Sequence, residues 1–275
     1  MPRKKLLVCG SAGFLMSNFI RYMLYHSKDY DFVSIDNLAN MSDYKRLYIH
    51  RDHKFYLGDI TDKYLMDRIL FIEKPDMIVN GIGYGKIESE QSKDVKAINV
   101  AHSLSHYDIP IIQLIHNLAI DNLGAGLLIS NLICWKKYNT TILLPDCFGF
   151  RQKPDSGMAF LINEIMAGRP ITPSNTETSW VYAEDVASFI WFIIENNIAG
   201  NIKMPSLGKI SIDNLVTTLT KILKTSDNLD EISQNEIPKV LGLPENIKDW
   251  LPDSVNLLES IKKTARWFNS NRWAL

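Results

Sequence analysis

The first residues of this 275-residue chain that could do chemistry form a glycine turn. Gly10 and Gly13 stand between an apolar run, residues 6–9, and an amphipathic run that starts at Phe14. Glycines at such a place permit a tight strand-to-helix turn and let backbone N–H groups at the helix start approach a pyrophosphate. The turn therefore predicts a dinucleotide site whose first cofactor-binding residues are Gly10, Ala12, Gly13, Phe14 and Leu15.

An acid stands at the end of the next apolar run. Asp36 follows Gly13 by 23 residues. A carboxylate there can accept hydrogen bonds from the adenosine ribose hydroxyls and repels a 2′-phosphate, so the sequence favours NAD over NADP. Further cofactor-binding residues are predicted where the second, third and fourth strands end: Asn37, Asp59, Ile60, Gly81, Ile82 and Gly83.

Met16 stands where a dinucleotide fingerprint has its third glycine. That glycine mainly allows close packing of the helix on the strand and does not touch phosphate. We therefore expect Met16 to push the first helix outward while the cofactor site is kept.

Short apolar runs alternate with longer amphipathic runs through the first 144 residues. The runs predict strands at residues 6–9, 31–36, 55–57, 76–80, 110–116 and 140–144. They predict helices at residues 14–25, 62–72 and 127–137. Near-continuous apolar strands separated by helices indicate a parallel sheet covered on both faces. The predicted fold class is α/β, a Rossmann-like doubly wound parallel sheet with a smaller, partly helical C-terminal lobe.

The pattern changes near residue 146, where prolines become frequent and strands sparse. Residues 1–145 are predicted to form the NAD-binding domain, with a return segment at about residues 179–205. Residues 146–178 and 206–275 are predicted to form a smaller substrate lobe. Helical patterns remain at residues 184–195, 212–224 and 254–268. In the last of these, four residues share one face and predict a core-facing helix: Leu258, Ile261, Ala265 and Phe268.

Composition limits the classes of function. Hydrophobic residues make up 46% of the chain and charged residues 22%, which excludes wholesale disorder. A formal net charge of -1 argues against nucleic acid as the main partner. Because no apolar stretch reaches transmembrane length, we expect no membrane partner. Three scattered cysteines favour a reducing, cytoplasmic location and predict no metal site.

Several segments together resemble a known family. They include "LLVCGSAGFLMSNFIRYML", "SIDNLAN", "FYLGDITDKYLMDRIL", "KPDMIVNGIG", "KAINV", "FGFRQ" and "SWVYAEDVASFI". These segments resemble the extended short-chain dehydrogenase/reductase family, particularly its nucleotide-sugar 4,6-dehydratases and epimerases. The resemblance implies NAD as cofactor, a nucleotide-sugar substrate and a homodimer. It also implies four substrate-binding residues: Asn99, Arg151, Gln152 and Tyr182.

The family's catalytic Tyr-x-x-x-Lys pair is missing. In that pair the lysine lowers the pKa of the tyrosine, which serves as the base. None of the eleven tyrosines here has a lysine four residues on. The resemblance matches the pair to Leu123 and Leu127, or to Ile120 and Gly124 by an ungapped count to the sixth strand.

Other ionisable residues are therefore candidates for the acid and base. Three follow the fourth predicted strand, which ends next to the expected nicotinamide: Tyr84, Lys86 and Glu88. His116 and Asp121, near the end of the fifth strand, come next.

Two hypotheses follow from this pattern. The first is an NAD-dependent enzyme of nucleotide-sugar modification, of the 4,6-dehydratase or epimerase type, with rearranged acid/base residues. It would act, for example, on a UDP- or dTDP-hexose. The second is a catalytically inactive homologue that binds NAD or a nucleotide-sugar and acts as a partner or regulatory subunit. The fold and the family resemblance favour the enzyme, and the missing pair favours the inactive homologue. The retained cofactor turn is compatible with both, and our first hypothesis is the enzyme.

Overall fold

The computed structural model describes residues 3–39, 43–82, 92–116, 125–134, 136–172, 174–206, 209–224, 247–250, 252 and 257–271. The chain divides into two compact units. The first comprises Met1–Leu144 and Ile190–Met204, and the second comprises Pro145–Phe189 and Pro205–Leu275. The boundary near residue 145 lies where the sequence pattern changes, and the return segment begins at Ile190.

The described elements follow one another in this order along the chain: β1 (Lys4–Cys9), α1 (Phe14–His26), β2 (Tyr30–Asp36), a 3-10 turn (Tyr44–Arg46), β3 (His53–Leu57), α2 (Lys63–Glu73), β4 (Met77–Asn80), α3 (Ser92–Ser105), β5 (Ile111–His116), α4 (Ala125–Cys134), β6 (Thr140–Leu144), β7 (Asp146–Phe148), α5 (Gly157–Met166), β8 (Glu177–Tyr182), α6 (Ala183–Glu195), β9 (Gly200–Lys203), β10 (Lys209–Ser211), α7 (Ile212–Lys224) and α8 (Leu257–Ser270). None of these helices is long and apolar enough to cross a membrane.

The first unit is built on a parallel sheet. Seven strands among the described residues pair in the order β3-β2-β1-β4-β5-β6-β9. The order reverses between β1 and β4, whose last residues, Cys9 and Asn80, are paired. In open α/β sheets this reversal opens a crevice beyond the carboxyl ends of the strands, where ligands bind. The sheet therefore places the glycine turn, which follows β1, at the expected binding edge.

Helices cover both faces of this sheet. On one face, Met66 of α2, Val100 of α3 and Ile133 of α4 join one buried cluster with odd-numbered strand residues such as Val33. On the other face, Phe19 of α1 packs edge-on against Phe32, with ring centroids 6.3 Å apart. Because successive strand residues point to opposite faces, both sides of the sheet are buried. The predicted doubly wound α/β fold is confirmed.

The second unit contains a three-stranded sheet in the order β10-β8-β7. Helices α5, α7 and α8 pack around a buried cluster that includes Phe148, Trp180 and Leu215. The face predicted for the last helix lies in this cluster, with Leu258, Ile261, Ala265 and Phe268 all buried. Residues 179–182 belong to the second unit because β8 pairs with β7 and β10. The predicted return of residues 179–189 to the first unit therefore differs from the observed division.

The helix predicted for residues 127–137 ends earlier, at Cys134. Asn139 provides the physical reason. Its Nδ2 donates to the Ile133 carbonyl at 2.8 Å, and its Oδ1 accepts from the Ile111 N–H at 2.9 Å. The buried asparagine side chain thus binds the end of the helix and the start of β5 at once.

A buried carboxylate attaches α2 to the amino ends of the neighbouring strands. Glu73, the last residue of α2, accepts hydrogen bonds from Lys54 Nζ at 2.5 Å, Tyr56 OH at 2.6 Å and Lys5 Nζ at 3.2 Å. Burial alone would raise the pKa of Glu73, but these hydrogen bonds outweigh it and lower the pKa to about 2. Glu73 is therefore ionised in the folded protein at neutral pH.

Replacing Glu73 by Gln should lower the free energy of unfolding at pH 7 by about 2–3 kcal/mol, because hydrogen bonds to a charged group are lost. The stabilisation from the low pKa exists above the ordinary glutamate pKa and disappears as pH falls towards about 2. The difference between wild type and Glu73→Gln should therefore shrink between pH 5 and pH 2 in urea titrations. Asp67→Asn is the control, since Asp67 is about half exposed and pairs with Lys63 on the same helix. An equal effect of both substitutions would contradict the assignment.

Candidate cofactor-binding site

The turn after β1 requires glycine at two positions. Gly10 has φ +76°, and a Cβ there would lie 2.9 Å from Ile82 Cγ1. Gly13 donates its N–H to the Gly10 carbonyl at 3.0 Å. A Cβ built on Gly13 would meet the same carbonyl oxygen at 3.0 Å. The turn is therefore closed so tightly that side chains are excluded on its inner side.

The N-terminus of α1 is open to an anion. Gly13 is its N-cap, and no side chain caps the helix. The first helical hydrogen bond runs from the Ser17 N–H to the Gly13 carbonyl, so the N–H groups of the first turn have no acceptor within the helix. The hydroxyl of Ser11 is fully buried in the turn and has no hydrogen-bond partner among the described residues. These donors fit a pyrophosphate, which helix N-termini of this kind bind.

Asp36 braces the same turn. Its Oδ2 accepts from the Ala12 N–H at 3.0 Å and its Oδ1 from the Leu38 N–H at 2.8 Å, and the residue is buried. Arg46 is also buried, and burial lowers its pKa while the charges of Asp43 and Asp36 oppose that shift. The negative charge of Asp36 therefore favours the charged form of the buried Arg46 guanidinium. Asp36 holds the backbone of the turn, in addition to the ribose contact that the sequence predicts.

The ends of β2 and β3 are joined by polar side chains. Asn37 Nδ2 donates to Asp59 Oδ2 at 2.8 Å. The other oxygen of Asp59 accepts from the Thr61 N–H and hydroxyl, at 2.9 and 2.7 Å. The structure therefore brings together the side chains of Asn37 and Asp59, two of the predicted cofactor-binding residues. The side chain of Ile60 lies in the hydrophobic core, so only its backbone is available to a ligand.

Met16 packs against Gly81. The methionine side chain is buried, and a Cβ added to Gly81 would lie 2.4 Å from Met16 Cγ and 3.0 Å from its Sδ. In the usual fingerprint, a third glycine on α1 leaves room for the helix to pack closely on the sheet. Here Gly81, which follows β4, provides that room. Met16 fills that space, so the bulk at this helix position is accommodated opposite Gly81.

The predicted acid/base residues Tyr84, Lys86 and Glu88 lie outside the described residues, as do Gly83 and Asp121. His116 is described. It ends β5 and is buried, with only 4% of its surface exposed. It therefore lies at the carboxyl edge of the sheet, where the crevice forms.

The predicted substrate-binding residues have different surroundings. Asn99 is exposed on α3. Arg151 has a left-handed backbone, with φ 64°. Gln152 is buried, donates from Nε2 to the Cys147 carbonyl at 3.0 Å and accepts from the Ala159 N–H at 3.3 Å. The amide of Gln152 is therefore already used to connect β7 to α5.

Tyr182 is buried among aromatic rings, 5.5 Å from the Phe148 centroid and 5.9 Å from that of Phe150. Burial raises the pKa of Tyr182, and the charges of Glu184 and Asp185 add to that rise. The phenol is therefore neutral at physiological pH.

Sequence reasoning missed Ser11 and Arg46. Ser11 could have been found, because it lies inside the quoted glycine turn. Arg46 carries no local signal, since its position beside Asp36 depends on how the 3-10 turn folds back. Asp43, which caps that turn, donates its N–H to the Ala12 carbonyl at 3.1 Å. Within the described part of the chain, no group of three or more His, Cys, Asp or Glu could hold a metal ion.

Comparison with known proteins agrees with this geometry. Residues 6–108 match the model of the NAD dependent epimerase/dehydratase family. The resemblance predicted from the sequence is confirmed. The matched stretch contains the glycine turn, Asp36, Asp59 and the Gly81–Ile82 segment.

Two relatives illustrate the sequence similarity. A low-salt glycan biosynthesis protein of Haloferax volcanii is 42% identical over 78 residues, which cover 27% of this chain and 24% of that protein. The dTDP-D-glucose 4,6-dehydratase of Mus musculus is 20% identical over 98% of this chain and 89% of its own length. In the first alignment the chain spans only about a quarter of its relative, and in the second the similarity is long but low.

Solved structures share the fold over 98% of this chain. The dTDP-glucose 4,6-dehydratase of Streptomyces venezuelae, solved with NAD bound, has a TM-score of 0.80 at 16% identity, over 98% of its own chain. The corresponding enzyme of Bacillus anthracis, in complex with NAD, has a TM-score of 0.78 at 15% identity, again over 98% of its chain. At these identities the similarity establishes the fold.

The contact between Met16 and Gly81 predicts coupled stability effects. Gly81→Ala should destabilise the protein, because the new Cβ collides with Met16. Met16→Ala alone should cost about 2–5 kcal/mol through the cavity it leaves. In the double variant the alanine at 81 no longer collides, so the two costs should fall short of additivity by about 0.5–3 kcal/mol. Chemical denaturation of all four proteins measures this coupling, and strict additivity would show that the two residues do not share the space.

Proposed function

We propose that this protein binds NAD at the carboxyl ends of β1, β2 and β4. The observation that carries the proposal is the N-terminus of α1, which no side chain caps. The turn before it leaves no room for a Cβ at Gly10 or Gly13, and Asp36 accepts a hydrogen bond from the Ala12 N–H of that turn. The backbone N–H groups of the first turn would hold the pyrophosphate, and Asp36 would receive the adenosine ribose. The match to an NAD-dependent family and the NAD complexes of the two structural neighbours support this assignment.

We further propose that the protein modifies a nucleotide-sugar, as a 4,6-dehydratase or epimerase acting on a UDP- or dTDP-hexose. Bound NAD supplies reversible removal of hydride from a sugar carbon. The Mus musculus relative and the two structural neighbours named above are dTDP-glucose 4,6-dehydratases, which supports this substrate class. The protein's own acid/base residues in this proposal are Tyr84, Lys86 and Glu88.

The proposed substrate contacts are Asn99, Arg151, Gln152 and Tyr182, with the second unit as the substrate lobe. Because the amide of Gln152 is bonded to the Cys147 carbonyl and the Ala159 N–H, its role would be to shape the loop after β7. Because the phenol of Tyr182 is buried and its pKa is raised, Tyr182 would act as a neutral wall or donor. We also propose that the protein is a homodimer, as the family resemblance implies.

A second candidate function rests on a specific observation in the sequence. The family resemblance matches Leu123 and Leu127, or Ile120 and Gly124 by an ungapped count, to the catalytic pair, and neither match contains Tyr or Lys. An inactive homologue that retains NAD or nucleotide-sugar binding, and that serves as a partner or regulatory subunit, would be compatible with these residues. The two candidates differ in turnover and agree in cofactor binding.

NAD binding is the first test. Calorimetry should show NAD(H) binding at least about tenfold more tightly than NADP(H), because Asp36 repels a 2′-phosphate. Gly13→Val should remove measurable binding, since a branched side chain would fill the approach to the turn. Asp36→Ala should reduce the difference in affinity between NAD(H) and NADP(H). It should also lower the affinity for NAD, because the backbone N–H groups of Ala12 and Leu38 lose their acceptor.

Gly200→Ala is the matched control for Gly13→Val. Gly200 has φ +104°, so alanine strains the backbone there, but a Cβ would meet nothing within 4 Å. We expect this variant to keep the wild-type affinity for NAD. If Gly13→Val bound NAD within a few-fold of wild type, the turn would be structural only and the cofactor proposal would fail.

Turnover is the second test and separates the two candidate functions. Wild type with NAD should convert at least one of UDP-N-acetylglucosamine, UDP-glucose and dTDP-glucose, detected by mass spectrometry of the products. Tyr84→Phe, Lys86→Ala or Glu88→Gln should then slow conversion by about 10²–10⁴-fold where the residue transfers a proton. NAD binding without turnover on this panel would favour the inactive homologue. Turnover unaffected by all three substitutions would refute the proposed acid/base residues.

A further inference from the structure

Two buried amide side chains bond to each other beneath the candidate site. Asn80 ends β4 and Gln113 lies beside it on β5, and the two residues are paired across the strands. Their exposed fractions are 0% and 1%. Asn80 Nδ2 donates to Gln113 Oε1 at 2.7 Å. Polar groups so deeply buried destabilise a fold unless every donor and acceptor is satisfied, so their remaining contacts are informative.

Those remaining contacts converge on one residue beyond the end of β4. Asn80 Oδ1 accepts from the Ile82 N–H at 3.1 Å, and Gln113 Nε2 donates to the Ile82 carbonyl at 3.2 Å. Gln113 Nε2 also donates to the Leu114 carbonyl at 2.9 Å. Both backbone polar groups of Ile82 are therefore bonded to side chains of the amide pair. The amide pair therefore fixes the backbone of Ile82, two residues beyond the end of β4, where strand pairing no longer holds it.

The fixed residue lies against the glycine turn. Ile82 Cγ1 lies only 2.9 Å from the position that a Cβ on Gly10 would take, so it leaves no room for a side chain there. The preceding residue, Gly81, donates its N–H to the Cys9 carbonyl at 3.1 Å and packs on Met16. The segment Gly81–Ile82 is thus hydrogen-bonded to the amide pair and to the Cys9 carbonyl, and it packs against Gly10 and Met16.

We propose that the Asn80–Gln113 pair positions Ile82 as a wall for the nicotinamide half of a bound dinucleotide. The inference rests on the proposed NAD function. Dinucleotides lie across the point where the strand order reverses, so their two halves fall on opposite sides of the β1 turn. Asp36 marks the adenosine side, on β2, and Ile82 lies on the other side, after β4. Asn80 and Gln113 are positioning residues that act through the backbone of Ile82.

The test compares NAD with ADP, which lacks the nicotinamide half. Gln113→Met nearly preserves side-chain volume but removes the donor to the Ile82 carbonyl and the acceptor for Asn80. Calorimetry should show its Kd for NAD raised by about tenfold, while the Kd for ADP stays within about twofold of wild type. Ile112→Val is the control, because Ile112 is buried on the same strand and points to the opposite face. It should leave both affinities unchanged.

A second variant guards against loss of folding in the first. Ile82→Ala keeps the amide pair and its hydrogen bonds to the backbone of residue 82, but removes the side chain that would form the wall and its contact with Gly10. It should weaken the binding of NAD and leave the Kd for ADP within about twofold of wild type. Equal loss of NAD and ADP affinity in the folded Gln113→Met or Ile82→Ala variant would overturn the positioning role, as would wild-type affinity for both ligands. Failure of wild type to bind NAD at all would instead overturn the proposed function itself.

Discussion

The candidate site depends on one carboxylate that belongs to a neighbouring strand. Ala12 is fully buried, and its N–H has Asp36 as acceptor. Without that acceptor a buried donor would be left unpaired, at a cost of about 1–3 kcal/mol. The same carboxylate holds the N–H of Leu38, whose φ of 55° is unfavourable for a residue with a side chain. One side chain therefore stabilises both the glycine turn after β1 and the backbone that follows β2.

Packing at the helix–strand contact explains why a dinucleotide turn can lack its third glycine. The requirement at that position is for volume between the first helix and the sheet, and not for contact with phosphate. Here the volume is provided by Gly81, which leaves room for the Met16 side chain. The substitution in the fingerprint is therefore matched by a small residue in a segment far along the chain. Met16 is consistent with an intact cofactor turn, and the expected outward displacement of α1 is not required for Met16 to fit.

Features that depend on neighbouring residues in the sequence could be predicted, whereas features that depend on contacts between distant residues could not. Strands β1 to β6 were predicted to within two residues at each end, because the strands of a parallel sheet are nearly continuous apolar runs. Strand β9, the seventh parallel strand described, was not predicted. Strand β8 was missed, since its first half is exposed or half-exposed and breaks that signal. The roles of Gln113 and Arg46 could not be predicted. Gln113 meets Asn80 through the register of β4 and β5, and Arg46 comes near Asp36 through the 3-10 turn. The sequence shows a polar residue within an apolar run but does not indicate which residue it contacts.

Several residues of the candidate site also stabilise the fold, so cofactor binding alone would not show that the protein is catalytically active. Asp36, Asn80 and Gln113 each form hydrogen bonds with backbone groups of the candidate site, so each contributes to the fold whether or not the protein is active. Leu123 and Leu127 bear on catalysis through the family resemblance, which matches them to the family's Tyr and Lys. The chain passes directly from Ile82 into residues 83–90, which contain the proposed acid/base residues. The enzyme and the inactive homologue therefore share one physical framework up to Ile82, and they differ only in what the side chains beyond it can do to a proton.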